Sequence, residues 1–101
     1  MTNIKTLNEI KVRTEPVFKK YPISYAGIFG SFARGEEKPE SDVDIMIKLK
    51  PHSTFSLFDL IGVERELGKE VGRKVDLATE KSIGRYIRRS VFNELKLIYE
   101  A

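Results

Sequence analysis

The sequence predicts a small α/β (α+β) domain: a mixed sheet of three to four strands with helices packed on one face. Three observations predict it. Two segments, "SDVDIMIKLK" and "RKVDLAT", alternate apolar and polar residues with the period of a strand. Three stretches around them, residues 3–20, 54–69 and 82–93, space their apolar side chains as helices do. The joints between these segments are short and carry Gly, Pro or Ser, and no repeat or low-complexity tract interrupts them. A chain of 101 residues organised in this way reads as one domain, residues 1–101.

Each element has its own justification. Ile4, Leu7, Ile10, Val17 and Phe18 lie along one helical face, with Pro16 as an expected kink or split and Pro22 as a stop. "ISYAGIFG", residues 23–30, mixes β-branched, aromatic and small residues and reads as a strand. "SFARGEE" follows, with Ser31 placed as a helix N-cap and Gly35 as its end; residues 38–40, with Pro39, read as loop. In the second strand Val43, Ile45, Ile47 and Leu49 share one face, and Asp42, Asp44, Met46 and Lys48 the other. The helix over 54–69 is expected to turn Phe55, Leu57, Phe58, Leu60, Ile61 and Leu67 inward, leaving Asp59 and Glu64–Glu66 to solvent. Residues 73–79 form a third strand, residues 82–93 a last helix, and "LKLIYE" a short edge strand. Phe18, Phe29, Phe55, Phe58 and Phe92 are expected in the core, while Phe32 either packs beneath its turn or approaches a nucleobase.

Composition narrows the classes. Hydrophobic residues make up 41% and charged residues 33% of a chain with net charge +3, a balance that argues for a folded domain rather than disorder. There is no cysteine, so disulfides and thiolate metal sites are excluded, and a cytoplasmic setting is expected. No apolar run is long enough to span a bilayer, and "MTNIKTLNEIKVRTE" lacks the apolar region of a signal peptide.

The chemistry concentrates in "GSFARGEEKPESDVDI". Residues i and i+2 of a strand point the same way, roughly 6–7 Å apart, so Asp42 and Asp44 project together. Two ionised carboxylates that close raise one another's pKa unless a cation sits between them. Mg²⁺ suits them, since it takes oxygen ligands and shares them with substrate phosphates. Asp76 lies between Val75 and Leu77, where a lone charge is costly, and joins the pair if its strand neighbours theirs. At the other end of the motif, Gly30 and Ser31 offer backbone N–H groups and a hydroxyl at a strand-to-helix corner, a site for an anion. Known phosphate and metal loops do not fit. Glu36 and Glu37 stand where a Walker A sequence needs Lys and Ser/Thr, no G-x-G-x-x-G occurs, and the strand after Asp44 lacks the glycine and glutamate of an EF-hand.

These residues match the signature G-S-x-A-R-G-x-x-x-x-x-S-D-x-D-[LI], and the chain resembles the minimal nucleotidyltransferase (MNT) domain proteins of the DNA polymerase β superfamily, which include antitoxins paired with HEPN-domain toxins. The likeness runs from "YAGIFGS" through "GRKVDLAT" to "LKLIYE". It implies a nucleotidyltransferase fold. It also implies that Gly30 and Ser31 hold the β- and γ-phosphates of ATP or another nucleoside triphosphate. Asp42, Asp44 and Asp76 would ligate two Mg²⁺ ions, Asp76 also helping to deprotonate an attacking hydroxyl. Arg34 and Ser41 belong to the substrate-binding motif; Arg34 either steadies a phosphate or anchors the loop through a glutamate. Because no further segment is left to hold an acceptor, the acceptor is expected from outside or from a second copy of the chain. AMP transfer to a tyrosine of a HEPN toxin fits that expectation. The rival readings are a non-catalytic antitoxin acting by contact and an RNA-directed transferase, the latter disfavoured by the modest charge. Arg85, Arg88 and Arg89, with Lys81, form a basic patch that is either a solvated helix face or a contact for an acidic partner or a triphosphate; His52 reads as surface.

Overall fold

A computed structural model describes residues 6–38 and 40–101. Ile4 and the expected start of the first helix, and Pro39 of the loop, lie outside them. Helix α1 (Leu7–Lys19) starts at Thr6, whose side chain accepts a hydrogen bond from the Glu9 N–H, and it buries Ile10, Thr14, Val17 and Phe18. It runs through Pro16 as one helix. An interior proline costs about 3 kcal/mol, and burial of three large apolar side chains at roughly 1.5–3 kcal/mol each outweighs it.

Strand β1 (Ile23–Phe29) leads into a one-turn helix α2 (Ser31–Arg34), then β2 (Val43–Leu49), α3 (Leu57–Val71), β3 (Val75–Thr79), a 3-10 turn at Glu80–Ser82, α4 (Arg85–Glu94) and β4 (Lys96–Glu100). The sheet order is β3-β2-β1-β4. β1 pairs antiparallel with both β2 and β4, whereas β2 and β3 are parallel, as a crossover through α3 requires. The expected edge strand at the end of the chain is therefore β4. Among the described residues no helix is long and apolar enough to cross a membrane.

Helices α1 and α3 cover one face, over a core that includes Ile28, Ile45, Ile47, Val63, Leu67 and Leu77. Phe32 joins this core from beneath its turn, which settles its role as packing. The last helix departs from the one-sided arrangement expected. Val91 of α4 and Ile83 pack on Met46, with Tyr25, Phe29, Ala78 and Leu95 around them, and these strand residues belong to the opposite face of the sheet. That face is acidic near Asp44 and apolar beyond it, and α4 covers the apolar part. Gly27 makes the approach possible, because a Cβ there would lie 2.7 Å from the Leu95 side chain.

The phase of α3 also differs from the expectation. Ser56 and Asp59 form a capping box that starts the helix at Leu57, and Val63, Leu67 and Val71 face the core. Phe58 is then 85% exposed, and Leu57 and Ile61 are exposed as well. Two apolar stripes of helical spacing run along this segment, and the one with Val63, Leu67 and Val71 meets the sheet. Phe55 precedes the helix and meets Tyr21 edge-on, while Leu60 is partly buried. The glutamates expected in solvent have partners: Glu64 accepts a hydrogen bond from the Leu77 N–H on the edge strand, and Glu66 binds Lys20 and the Tyr21 hydroxyl. Phe92 is exposed rather than core. His52 is exposed, as expected, and holds a positive φ of 59°.

Candidate active site

The strand pairing brings the acidic residues together. Asp44 lies opposite Asp76 in the parallel β2–β3 register and opposite Phe29, the last residue of β1, on its other side. Gly30, next in sequence to Phe29, therefore abuts Asp44, and a Cβ on Gly30 would overlap the carboxylate oxygen Oδ2. Gly30 holds φ 77° and ψ −152°, a conformation essentially confined to glycine. It is Gly30, not Ser31, that occupies the N-cap position of α2, and Ser31 is the first helical residue. With a single turn, α2 contributes free N–H groups at the corner rather than a developed helix dipole.

Asp44 is half-buried, and its carboxyl is pushed above the usual carboxylate range. Burial is the main cause; repulsion by Asp76 and Asp42 adds to it, Arg34 opposes it and Glu94 adds a little more. Asp42 lies 3.9 Å from Lys74 Nζ. Asp76 is exposed, so solvent carries its charge and the cost expected from its apolar neighbours does not arise.

The family resemblance implies a divalent cation, and the chemistry of the donors present suits one. The donors are all oxygen, the carboxylates repel one another, and the missing Cβ of Gly30 leaves space against Asp44. Among the described residues no three acidic or histidine side chains form a group that could hold a metal ion.

Two residues that sequence reasoning overlooked complete the site. Arg73 donates from Nη1 to the carbonyls of Lys38 (2.9 Å) and Ser41 (3.3 Å), and its guanidinium lies 5.0 Å from the centre of the Phe32 ring. It thus ties the excursion between the glycine corner and Asp42 to the core beneath α2. Ser41 works within that excursion: its hydroxyl accepts from the Lys38 N–H at 2.7 Å. Replacing Arg73 with leucine is expected to lower stability by about 1–2 kcal/mol, since two backbone carbonyls lose a charged donor; urea denaturation measures it. Glu94, the last residue of α4, accepts from the Gly30 N–H at 2.9 Å and from Arg34 Nη1 at 3.2 Å. Arg34 also donates from Nε to Glu36 at 2.8 Å. Of its two expected roles, the loop anchor through glutamates is the one formed here. Neither residue carries a local sequence signal: Arg73 sits in a charged "GRK" and Glu94 at a helix end, and only the tertiary fold brings them to the motif.

The basic patch on α4 is partly committed. Arg88 lies 3.6 Å from Glu80 and 5.6 Å from the centre of the Phe92 ring, and Glu80 also accepts from the Tyr25 hydroxyl, whose pKa is pushed up to about 12 by burial and this bond. Arg85 and Arg89 are exposed.

The family model described as nucleotidyltransferase domain matches residues 10–98. The chain belongs to that family. This nucleotidyltransferase is 38% identical over 88 residues to a Methanocaldococcus jannaschii protein provisionally named protein adenylyltransferase MJ0435, covering 87% of this chain and 92% of that one. It is 32% identical over 94 residues to protein adenylyltransferase MntA of Thermococcus cleftensis, covering 89% and 93%. A crystal structure described as a toxin-antitoxin with AMP-PNP superposes with a TM-score of 0.75 at 20% identity, over 93% of this chain and 74% of the other, a likeness of fold. The enzyme is a minimal nucleotidyltransferase with a four-stranded mixed sheet.

Proposed function

We propose that this nucleotidyltransferase moves AMP from ATP to a hydroxyl of a protein partner, a tyrosine of a HEPN-type toxin, and thereby acts as its antitoxin. The observation that carries the reading is the in-register pair Asp44–Asp76 set against the Gly30 corner, with Asp42 just before the start of β2. The names of the curated relatives, protein adenylyltransferases, support transfer to protein, and the toxin–antitoxin likeness supports the kind of partner.

In this reading Gly30 and Ser31 receive the β- and γ-phosphates, and Asp42, Asp44 and Asp76 hold two Mg²⁺ ions. The ions, when bound, neutralise charge on the entering and leaving oxygens. Asp76, exposed and adjacent to Asp44, takes the proton of the acceptor hydroxyl. The acceptor oxygen bonds to the α-phosphorus, the bond from that phosphorus to the bridging oxygen breaks, and pyrophosphate leaves with its charge held at the corner. Arg73 fixes the approach of Asp42 by fastening the loop before it.

The test is incubation of the pure protein with α-labelled ATP, Mg²⁺ and its HEPN partner. Label is expected on partner tyrosine, and none with the Asp42→Ala/Asp44→Ala variant. Equal labelling by that variant, or no labelling by the wild type, refutes the reading. Exposed apolar side chains on α3 and α4, Leu57, Phe58, Tyr86 and Ile87, favour a second reading, neutralisation by contact. In that case the double variant still silences the toxin.

A further inference from the structure

We infer that Glu94 is an internal stand-in for phosphate: its carboxylate sits on the Gly30 corner, and a triphosphate tail must displace it to bind. The inference rests on the nucleotide reading above and deepens it.

One carboxylate oxygen of Glu94, Oε1, accepts from a backbone amide, Gly30 N–H at 2.9 Å, and from a guanidinium, Arg34 Nη1 at 3.2 Å. The other, Oε2, lies 3.2 Å from the same Nη1. A backbone amide joined by a guanidinium is the donor pair that a phosphate oxygen takes. The corner therefore holds an anionic oxygen already, and that oxygen belongs to the protein.

The fold delivers this carboxylate deliberately. Val91, one turn earlier, is the buried residue of α4, and Leu95, the next residue, seats on the space left by Gly27. Glu94 is fixed between two packed neighbours, so its position on the corner is not that of a loose tail. It also brings negative charge toward Asp44, an arrangement that the Gly30 and Arg34 donors offset. When a triphosphate arrives, those donors pass to it, and the repulsion between Glu94 and Asp44 is relieved as Glu94 leaves. Arg34 stays oriented throughout, because its Nε remains on Glu36. Glu94 is thus a gating residue for the polyphosphate tail, with no contact to the reacting phosphorus.

Calorimetric titration of the full chain with ATP and with AMP, each in Mg²⁺, tests this on the wild type, Glu94→Gln and Glu94→Asp. Glu94→Gln weakens the hold on Arg34; Glu94→Asp keeps the charge but withdraws it by one methylene. Both variants are expected to bind ATP about three- to tenfold more tightly, the difference between a charge-assisted and an ordinary hydrogen bond. AMP, which lacks the β- and γ-phosphates, is expected to bind all three proteins alike. Unchanged or weaker ATP binding by Glu94→Gln overturns the inference and makes Glu94 a support of the corner. A gain for Glu94→Gln that is shared by AMP, or absent from Glu94→Asp, overturns it in favour of a general charge effect. Absence of ATP binding in the wild type removes the nucleotide reading itself, and the stand-in role with it.

Discussion

Gly30→Ala is expected to abolish nucleotidyl transfer and to destabilise the protein. Two independent effects add at this position. The backbone sits at φ 77° and ψ −152°, a region that costs any other residue about 1–3 kcal/mol. The new methyl group would also overlap Asp44 Oδ2, so either the corner or the carboxylate must move. A displacement near 1 Å between groups that act together lowers turnover by roughly a hundredfold, and here both the proposed phosphate corner and a metal-ligand candidate are involved. The companion variant Gly35→Asn separates the effects. Gly35 also has a positive φ, 72°, but a Cβ there meets nothing within 4 Å, and Asn tolerates the left-handed conformation it needs. That variant is expected to lose little stability and to keep its transfer activity. Urea denaturation and the labelled-ATP assay read both. Full transfer by Gly30→Ala would move the phosphate site elsewhere.

The alternation in "SDVDIMIKLK" and "RKVDLAT" makes the facing of Asp44 and Asp76 legible, because side-chain direction in a strand follows from parity alone; Asp42, read as part of the strand, lies just before β2, where parity no longer applies. That the two strands are neighbours was a condition in the reading, and the parallel β2–β3 register meets it. Helix phase was less legible. In residues 54–71 two apolar stripes compete, and the choice between them depends on which side chain meets the sheet, not on spacing. The second face was missed for a related reason. Met46 shares the acidic face by parity, but a single methionine gives no sign that a helix will cover it. Glu94 and Arg73 were out of reach altogether: 64 residues separate Glu94 from Gly30 and 35 separate Arg73 from Lys38, and their roles arise only when the chain closes on itself.

Asp44→Asn is expected to remove activity while making the protein more stable at neutral pH. The sign follows from the raised pKa. Burial, with the charges of Asp76 and Asp42, makes the folded protein hold the Asp44 proton more tightly than the unfolded chain does. Below the ordinary carboxylate pKa the group is neutral in both states and the difference vanishes. As pH rises through the ordinary value toward the raised one, the unfolded chain ionises first, and the native state loses stability that it does not regain at higher pH. Asparagine carries no charge at any of these pH values, so the variant escapes the loss. Its melting temperature should exceed that of the wild type by a few degrees at pH 7 and converge with it at acid pH. Partial exposure of Asp44 keeps the gain modest. Mg²⁺ with ATP should raise the melting temperature of the wild type by mass action and leave the variant nearly unmoved. Transfer should fall about a thousandfold or more, the loss of roughly 4 kcal/mol of transition-state stabilisation expected when a ligand to the reacting centre is neutralised. A residue kept for folding would show the reverse pairing, less stability with activity retained.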